Sequence, residues 1–153
     1  MIERTEKEKD MKKEKINIVI VEDNPFFNKM LQKYMQGLCN TQMYSDYTFE
    51  IKPYLYAEDC IENLTPDTDI MLLDYLFVNI ETDTSLNGKD VLEEVQRHCP
   101  NCKVIIISEQ QNMVVTVELL KRGIYEYIDK TKNSHTRIGA VVQKILKERK
   151  MAS

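Results

Sequence analysis

Short apolar runs alternate with helical stripes along most of the chain. Ile16-Asn17-Ile18-Val19-Ile20-Val21 is β-branched and compact, as in a strand buried on both faces. Similar runs predict strands over 69–73, 103–107 and 124–128. A further strand over 48–56 alternates imperfectly, and Pro53 suits a sheet edge. Helical spacing fills the gaps. Asn24 reads as an N-cap and Pro25 as the first helical residue, followed by Phe26, Phe27, Met30, Leu31, Tyr34 and Met35. Gly37 is expected to end that helix, with a polar loop over 38–47. A short helix over 57–64 is broken by Pro66 and Asp67. Gly88 and Lys89 lead into a helix that buries Val91, Leu92 and Val95, and another over 112–122 stops at Gly123. The last helix carries Ile138, Val141, Val142, Ile145 and Leu146 as one apolar stripe.

Strand and helix thus alternate five times. This order predicts an α/β fold, a flavodoxin-like doubly wound (βα)5 with a five-stranded parallel sheet in the order 2-1-3-4-5. One domain is expected over 16–149, with a tail at 150–153 and no output domain.

Composition narrows the classes. The chain has 153 residues, 42% hydrophobic and 30% charged, enough for one domain with its own core. No apolar stretch approaches the roughly 20 residues of a membrane span, and no signal-peptide core opens the chain. A cytoplasmic location without membrane contact is expected. Residues 1–15 hold six basic and five acidic residues and read as a charged, disordered leader. The remainder is acidic, so no nucleic-acid partner is expected. Four cysteines, Cys39, Cys60, Cys99 and Cys102, read as reduced thiols. Cys99-Pro100-Asn101-Cys102 has redox-pair spacing, but it follows a helix and precedes a strand, which favours a loop over thiol chemistry.

The chemistry gathers where strands end. Val21 runs into Glu22-Asp23, Leu73 into Asp74, Ile107 into Ser108, and Ile128 into Asp129-Lys130. In an open parallel sheet these ends share one edge, where ligands bind. Three carboxylates there repel strongly unless a cation compensates. Hard oxygen ligands suit Mg²⁺ or Mn²⁺, with Asp23 and Asp74 close to the ion and Glu22 acting through water. Lys130 can hold Asp74 before a reaction and a phosphoryl oxygen after it, and the Ser108 hydroxyl can bond another. An aspartate flanked by a divalent ion and a lysine is a plausible nucleophile toward phosphorus.

Five pieces in order carry a resemblance: Val21-Glu22-Asp23-Asn24, Ile70-Met71-Leu72-Leu73-Asp74, Gly88-Lys89-Asp90-Val91-Leu92, Ile105-Ile106-Ile107-Ser108 and Tyr125-Glu126-Tyr127-Ile128-Asp129-Lys130. Over residues 16–147 the chain resembles a response-regulator receiver domain of two-component signalling. The resemblance implies that Asp74 is the phosphoacceptor and that Glu22 and Asp23 are the metal-binding acids. The backbone carbonyl of Leu76 joins that metal set. It further implies that Ser108 is the switch hydroxyl, Lys130 the phosphate-sensing lysine, and Tyr127 the aromatic that couples phosphorylation to the face of the fourth helix, last strand and last helix. Implied partners are a histidine kinase or histidine phosphotransfer protein and a downstream protein effector, with the chain a monomer or weak dimer. It is not expected to be an enzyme beyond accepting and slowly losing its own phosphoryl group.

Three departures matter. The segment 76–86, LFVNIETDTSL, is longer than the family's usual loop, and its Glu81 and Asp83 could cover the site or meet a partner. Glu109 follows the switch hydroxyl where a small residue is usual, and could repel a phosphodonor. Thr131 replaces the common proline, so the usual cis peptide is not expected. A phosphorylation-independent scaffold is the competing reading. A Mg²⁺-dependent phosphohydrolase is remote, because Asp74-Tyr75-Leu76 lacks a second acid two residues on. Dinucleotide binding is weaker still, since the loop after the first strand has no glycine.

Overall fold

The computed structural model describes residue 5 and residues 13–74, 88–109, 113–130 and 133–152. Among these residues five strands alternate with five helices: β1 Glu14–Val21, α1 Pro25–Cys39, β2 Tyr47–Tyr54, α2 Ala57–Asn63, β3 Ile70–Asp74, α3 Gly88–His98, β4 Lys103–Ser108, α4 Met113–Lys121, β5 Glu126–Asp129 and α5 Ser134–Ala152. The strands form one sheet in the order β2-β1-β3-β4-β5, with every neighbouring pair parallel. The expected doubly wound fold is therefore the observed one.

The period of two along each strand sorts the core into two layers. Ile16, Ile18 and Ile20 of β1, with Ile70 and Leu72 of β3, face Leu31 and Met35 of α1 and Ile138, Val142, Ile145 and Leu146 of α5. Their neighbours Val19, Val21, Met71 and Leu73 face α2, α3 and α4, meeting Cys60, Val91, Leu92, Val95 and Leu119. Fully burying each aliphatic side chain is worth about 1.5–3 kcal/mol relative to exposure. Both faces of the central strands are used, so a one-residue slip of register would exchange the two sets of partners. Pro53 lies on β2, which pairs only with β1 and so forms the edge.

Several boundaries move, each for a local reason. Helix α1 passes through Gly37 to Cys39, because Leu38 still packs against the core and Asn40 caps the end through bonds to Gln36 and Leu38. The expected polar loop after it contains a 3₁₀ turn, Gln42–Tyr44, that buries Tyr44 against the first core layer. Strand β1 starts at Glu14, inside the expected leader, where Glu14 and Lys15 pair with Tyr47 and Thr48. Helix α5 continues through the expected tail to Ala152. Its last turns are anchored by Arg149, whose Nε meets Glu14 Oε1 at 2.7 Å and whose Nη1 meets Asp69 Oδ1 at 2.6 Å. Strand β5 begins at Glu126 rather than 124, though Tyr125 already donates its N–H to the Val104 carbonyl at 2.8 Å.

Two glycines should respond in opposite ways to alanine. Gly37 sits in a helix with open space where a Cβ would go, so Gly37→Ala should stabilise by about 0.5–1 kcal/mol. Gly123 has φ +98° after α4, so Gly123→Ala should destabilise by about 1 kcal/mol or more. Urea unfolding of the two variants would check both signs.

Candidate functional site

The carboxyl ends of β1, β3, β4 and β5 meet at one edge of the sheet, and sequence pattern explains how each side chain arrives there. Glu22 follows the last residue of β1, and its N–H is bonded to the Tyr54 carbonyl at 3.1 Å, which fixes it against β2. Asp74 closes β3, in register with Ile107 of β4. Ser108 closes β4 opposite Asp129, and the Lys130 N–H donates to the Ser108 carbonyl at 2.9 Å. That bond carries the parallel pairing one residue beyond β5 and brings Lys130 over the edge.

Glu22, Asp74 and Ser108 are buried, whereas Asp23 is exposed. One carboxylate oxygen from each of Glu22, Asp23 and Asp74 lies within 4.8 Å of the others. Among the described residues, a single ammonium answers this charge. Lys130 Nζ lies 3.1 Å from Glu22 Oε1, 2.9 Å from Glu22 Oε2 and 3.3 Å from Asp74 Oδ2. Among the described residues, the Oε2 contact is an ion pair without hydrogen-bond alignment. Three carboxylates facing one ammonium leave a deficit of positive charge. Oxygen donors around such a deficit fit a hard divalent cation of the Mg²⁺ or Mn²⁺ class.

Protonation follows from the crowding. Burial, then the hydrogen bond and charge of Asp74, push the Glu22 carboxyl up to about 7, against the opposing pull of Lys130. Asp23 is also raised, by desolvation first and Asp74 second. Burial would lower the Lys130 ammonium, but its hydrogen bond to Glu22 and the charges of Asp74 and Glu22 outweigh that and raise it.

Two residues of α1 complete the setting. Asn24 caps the helix by accepting the Phe27 N–H at 3.0 Å, and its own N–H reaches Glu22 Oε1 at 3.3 Å. Asn28, buried one turn on, donates from Nδ2 to the carbonyls of Glu22 and Tyr54, both at 3.0 Å. The Phe27 ring lies under the ammonium, with Lys130 Nζ 4.5 Å from its centroid. Sequence pattern marked Phe27 only as part of a core stripe and did not single out Asn28. An asparagine on the apolar face, one turn before Leu31 and two before Met35, was the signal that could have done so.

The other expected residues divide. Tyr127 is half-buried against the second core layer, and Glu109 is exposed beside Ser108. Leu76, Glu81, Asp83 and Thr131 lie outside the described residues. Cys99 and Cys102 bracket a turn, and the Cys99 thiol donates to the Thr65 carbonyl at 2.9 Å. Burial pushes both thiols up, opposite to what a reactive thiolate needs.

A family profile described as the response regulator receiver domain matches residues 18–143. The chain belongs to that family. No curated protein matches the receiver in sequence. Among solved structures, it is similar to the BeF3-activated receiver domain of DrrB, a Thermotoga maritima protein, at 17% identity and TM-score 0.68, covering 86% of this chain and 97% of that one. It is similar to a response regulator receiver domain protein from Clostridium thermocellum at 15% identity and TM-score 0.67, covering 90% and 99%. The CheX-CheY-BeF3-Mg+2 complex from Borrelia burgdorferi contains a chain similar at 20% identity and TM-score 0.65, covering 86% and 89%. These likenesses establish the fold. Among the described residues, no helix of the receiver is long and apolar enough to cross a membrane.

The raised Glu22 and Asp23 carboxyls give stability a definite sign. The folded state binds their protons more tightly than the unfolded chain. The contribution is therefore full below their unfolded values and is lost as pH rises through about 7 for Glu22. Without divalent cation, stability should fall by about 2 kcal/mol from Glu22 between pH 5 and pH 8, with Asp23 acting in the same direction. Millimolar Mg²⁺ should raise the melting temperature more at pH 8 than at pH 5.5, because the ion needs ionised ligands. Equal Mg²⁺ shifts at both pH values would contradict the acidic cluster as the binding site.

Proposed function

We propose that this receiver accepts a phosphoryl group on Asp74 and passes the signal by a change in its packing. The observation that carries this is the Lys130 ammonium bridging Glu22 and Asp74 at the strand ends. Glu22, Asp23 and Asp74 would hold Mg²⁺ or Mn²⁺, which when bound offsets charge on the transferring oxygens. The CheX-CheY complex from Borrelia burgdorferi holds BeF3 and Mg+2 together, and a Burkholderia pseudomallei response regulator at TM-score 0.63 carries a phosphorylated aspartic acid and a calcium ion. Both fit this use of an acidic edge.

The transfer forms a bond from an Asp74 carboxylate oxygen to phosphorus and breaks the bond from phosphorus to the donor. The donor's leaving atom keeps the electron pair. Donors of the right class are a phosphohistidine on a kinase or phosphotransfer protein, or a small acyl phosphate. Lys130 begins paired with Asp74 and ends on a phosphoryl oxygen, so its positive charge follows the charge that moves. The Ser108 hydroxyl then donates to another phosphoryl oxygen. Tyr127, half-buried on the adjacent strand, responds to the space this vacates. The readout face is formed by α4, β5 and α5, where Met113, Val114 and Val117 of α4 are exposed. A downstream protein effector is the partner such an apolar face suits. A difference of a few kcal/mol between two packings is enough to shift the population.

Acetyl phosphate with Mg²⁺ tests the reading. Intact-mass analysis should show one phosphate on the native chain and none on Asp74→Asn. Lys130→Ala should slow labelling at least about tenfold, by removing the charge that follows the phosphoryl group. Labelling that survives in Asp74→Asn, or a native chain that never labels, would overturn the assignment. Glu109, exposed beside Ser108, adds like charge near an incoming anion. Glu109→Ala should speed labelling by about twofold to fivefold at low salt, an advantage that shrinks at high salt.

A further inference from the structure

The aromatic ring beneath Lys130 is a part of the site that the transfer chemistry above does not use. Lys130 Nζ points its donors at Glu22 and Asp74, and its remaining side faces the Phe27 ring, 4.5 Å from the centroid. The lysine side chain is only 6% exposed. A ring face attracts an ammonium through its negative quadrupole but offers no strong competing acceptor. It can therefore hold the charge near the edge without binding it to one oxygen.

The ring itself is well fixed. Phe27 packs on the first core layer, unlike its neighbour Phe26, which is 75% exposed. Its N–H is tied to the Asn24 cap, and Asn28 ties the same helical turn to the ends of β1 and β2. The turn that carries the ring is thus bolted to the residue preceding Asp23. These contacts hold the ring face in place beneath Lys130.

We propose that Phe27 is a positioning residue for Lys130, its ring face guiding the ammonium as it passes from the Asp74 carboxylate to a phosphoryl oxygen. This rests on the phosphoacceptor reading of Asp74. Without the ring, the ammonium would be hydrated on that side and spread among more positions. Transfer would then be slowed, while the fold kept its other contacts.

Two measurements on the full chain test it. The first is proton NMR of Lys130, whose ε-methylene resonances should be shifted upfield by the ring in the native protein and in Phe27→Tyr. In Phe27→Leu they should return to ordinary lysine values. The second is the rate of acetyl phosphate labelling with Mg²⁺. Phe27→Leu should label about threefold to tenfold more slowly, while Phe27→Tyr stays within about twofold of native. A purely structural role would instead make the rate follow melting temperature in both variants. The proposal is overturned if the lysine resonances show no ring-current shift. It is also overturned if Phe27→Leu labels at the native rate. A native chain that takes no label, with the resonance shift present, would strike the phosphoacceptor reading and not the placement of the ring.

Discussion

Three carboxylates at one sheet edge are an unfavourable arrangement, and the surroundings of that edge are organised by the need to compensate it. Two like charges about 4 Å apart repel by about 4 kcal/mol at the effective dielectric of a protein surface. Lys130 supplies one positive charge against Glu22, Asp23 and Asp74, and burial, reinforced by the Asp74 charge, still raises the Glu22 and Asp23 carboxyls. A site in this condition is responsive. Anything that brings positive charge, or changes the charge on Asp74, alters the contacts of Lys130 and therefore of the strand ends on either side. Its tension is what makes the edge suited to a switch.

The sheet makes that tension possible. Neither Asp74 nor Lys130 could be placed so closely from flexible loops without loss of side-chain and backbone freedom. Here the backbone cost is met by core residues that precede each functional group: Leu73 before Asp74, Ile107 before Ser108 and Ile128 before Asp129 are all buried. Parallel pairing then sets the spacing. Because the two faces of β1 and β3 serve different helices, the strands have little freedom to slide, and the polar groups at their ends inherit this precision. Packing and chemistry are therefore coupled along a single strand.

Most of this was legible in the sequence, for identifiable reasons. β-Branched runs such as Ile16–Val21 announce buried strands, and the alternation with helical stripes leaves few parallel topologies. The acids, the hydroxyl and the lysine could be found because each directly follows an apolar run. Less legible were features that depend on what lies across space. Gly37 looked like a stop, but Leu38 still has a core to reach, and packing overrode the local preference. The 3₁₀ turn was hidden because Tyr44 lies in a mostly polar stretch too short to show a helical repeat. Asn28 and Phe27 sit on a stripe that reads as ordinary core, and nothing local shows that one bonds two strand ends while the other underlies a lysine. Arg149 was not singled out, since its partners Glu14 and Asp69 are distant in sequence.

That arginine also bears on how the chain is closed. Glu14 opens the first strand, and Arg149 stands three residues before the end of the last helix, yet the two side chains touch. From Glu14 to Ala152 the fold is thus nearly a ring, with one guanidinium as its clasp. Such a molecule is suited to circular permutation: a short peptide could join the region of Glu14 to the end of the last helix while the chain was opened at a surface turn. The acidic edge lies at the opposite ends of the strands. Rewiring the clasp side would leave the order β2-β1-β3-β4-β5, and with it the meeting of Glu22, Asp74 and Lys130, intact.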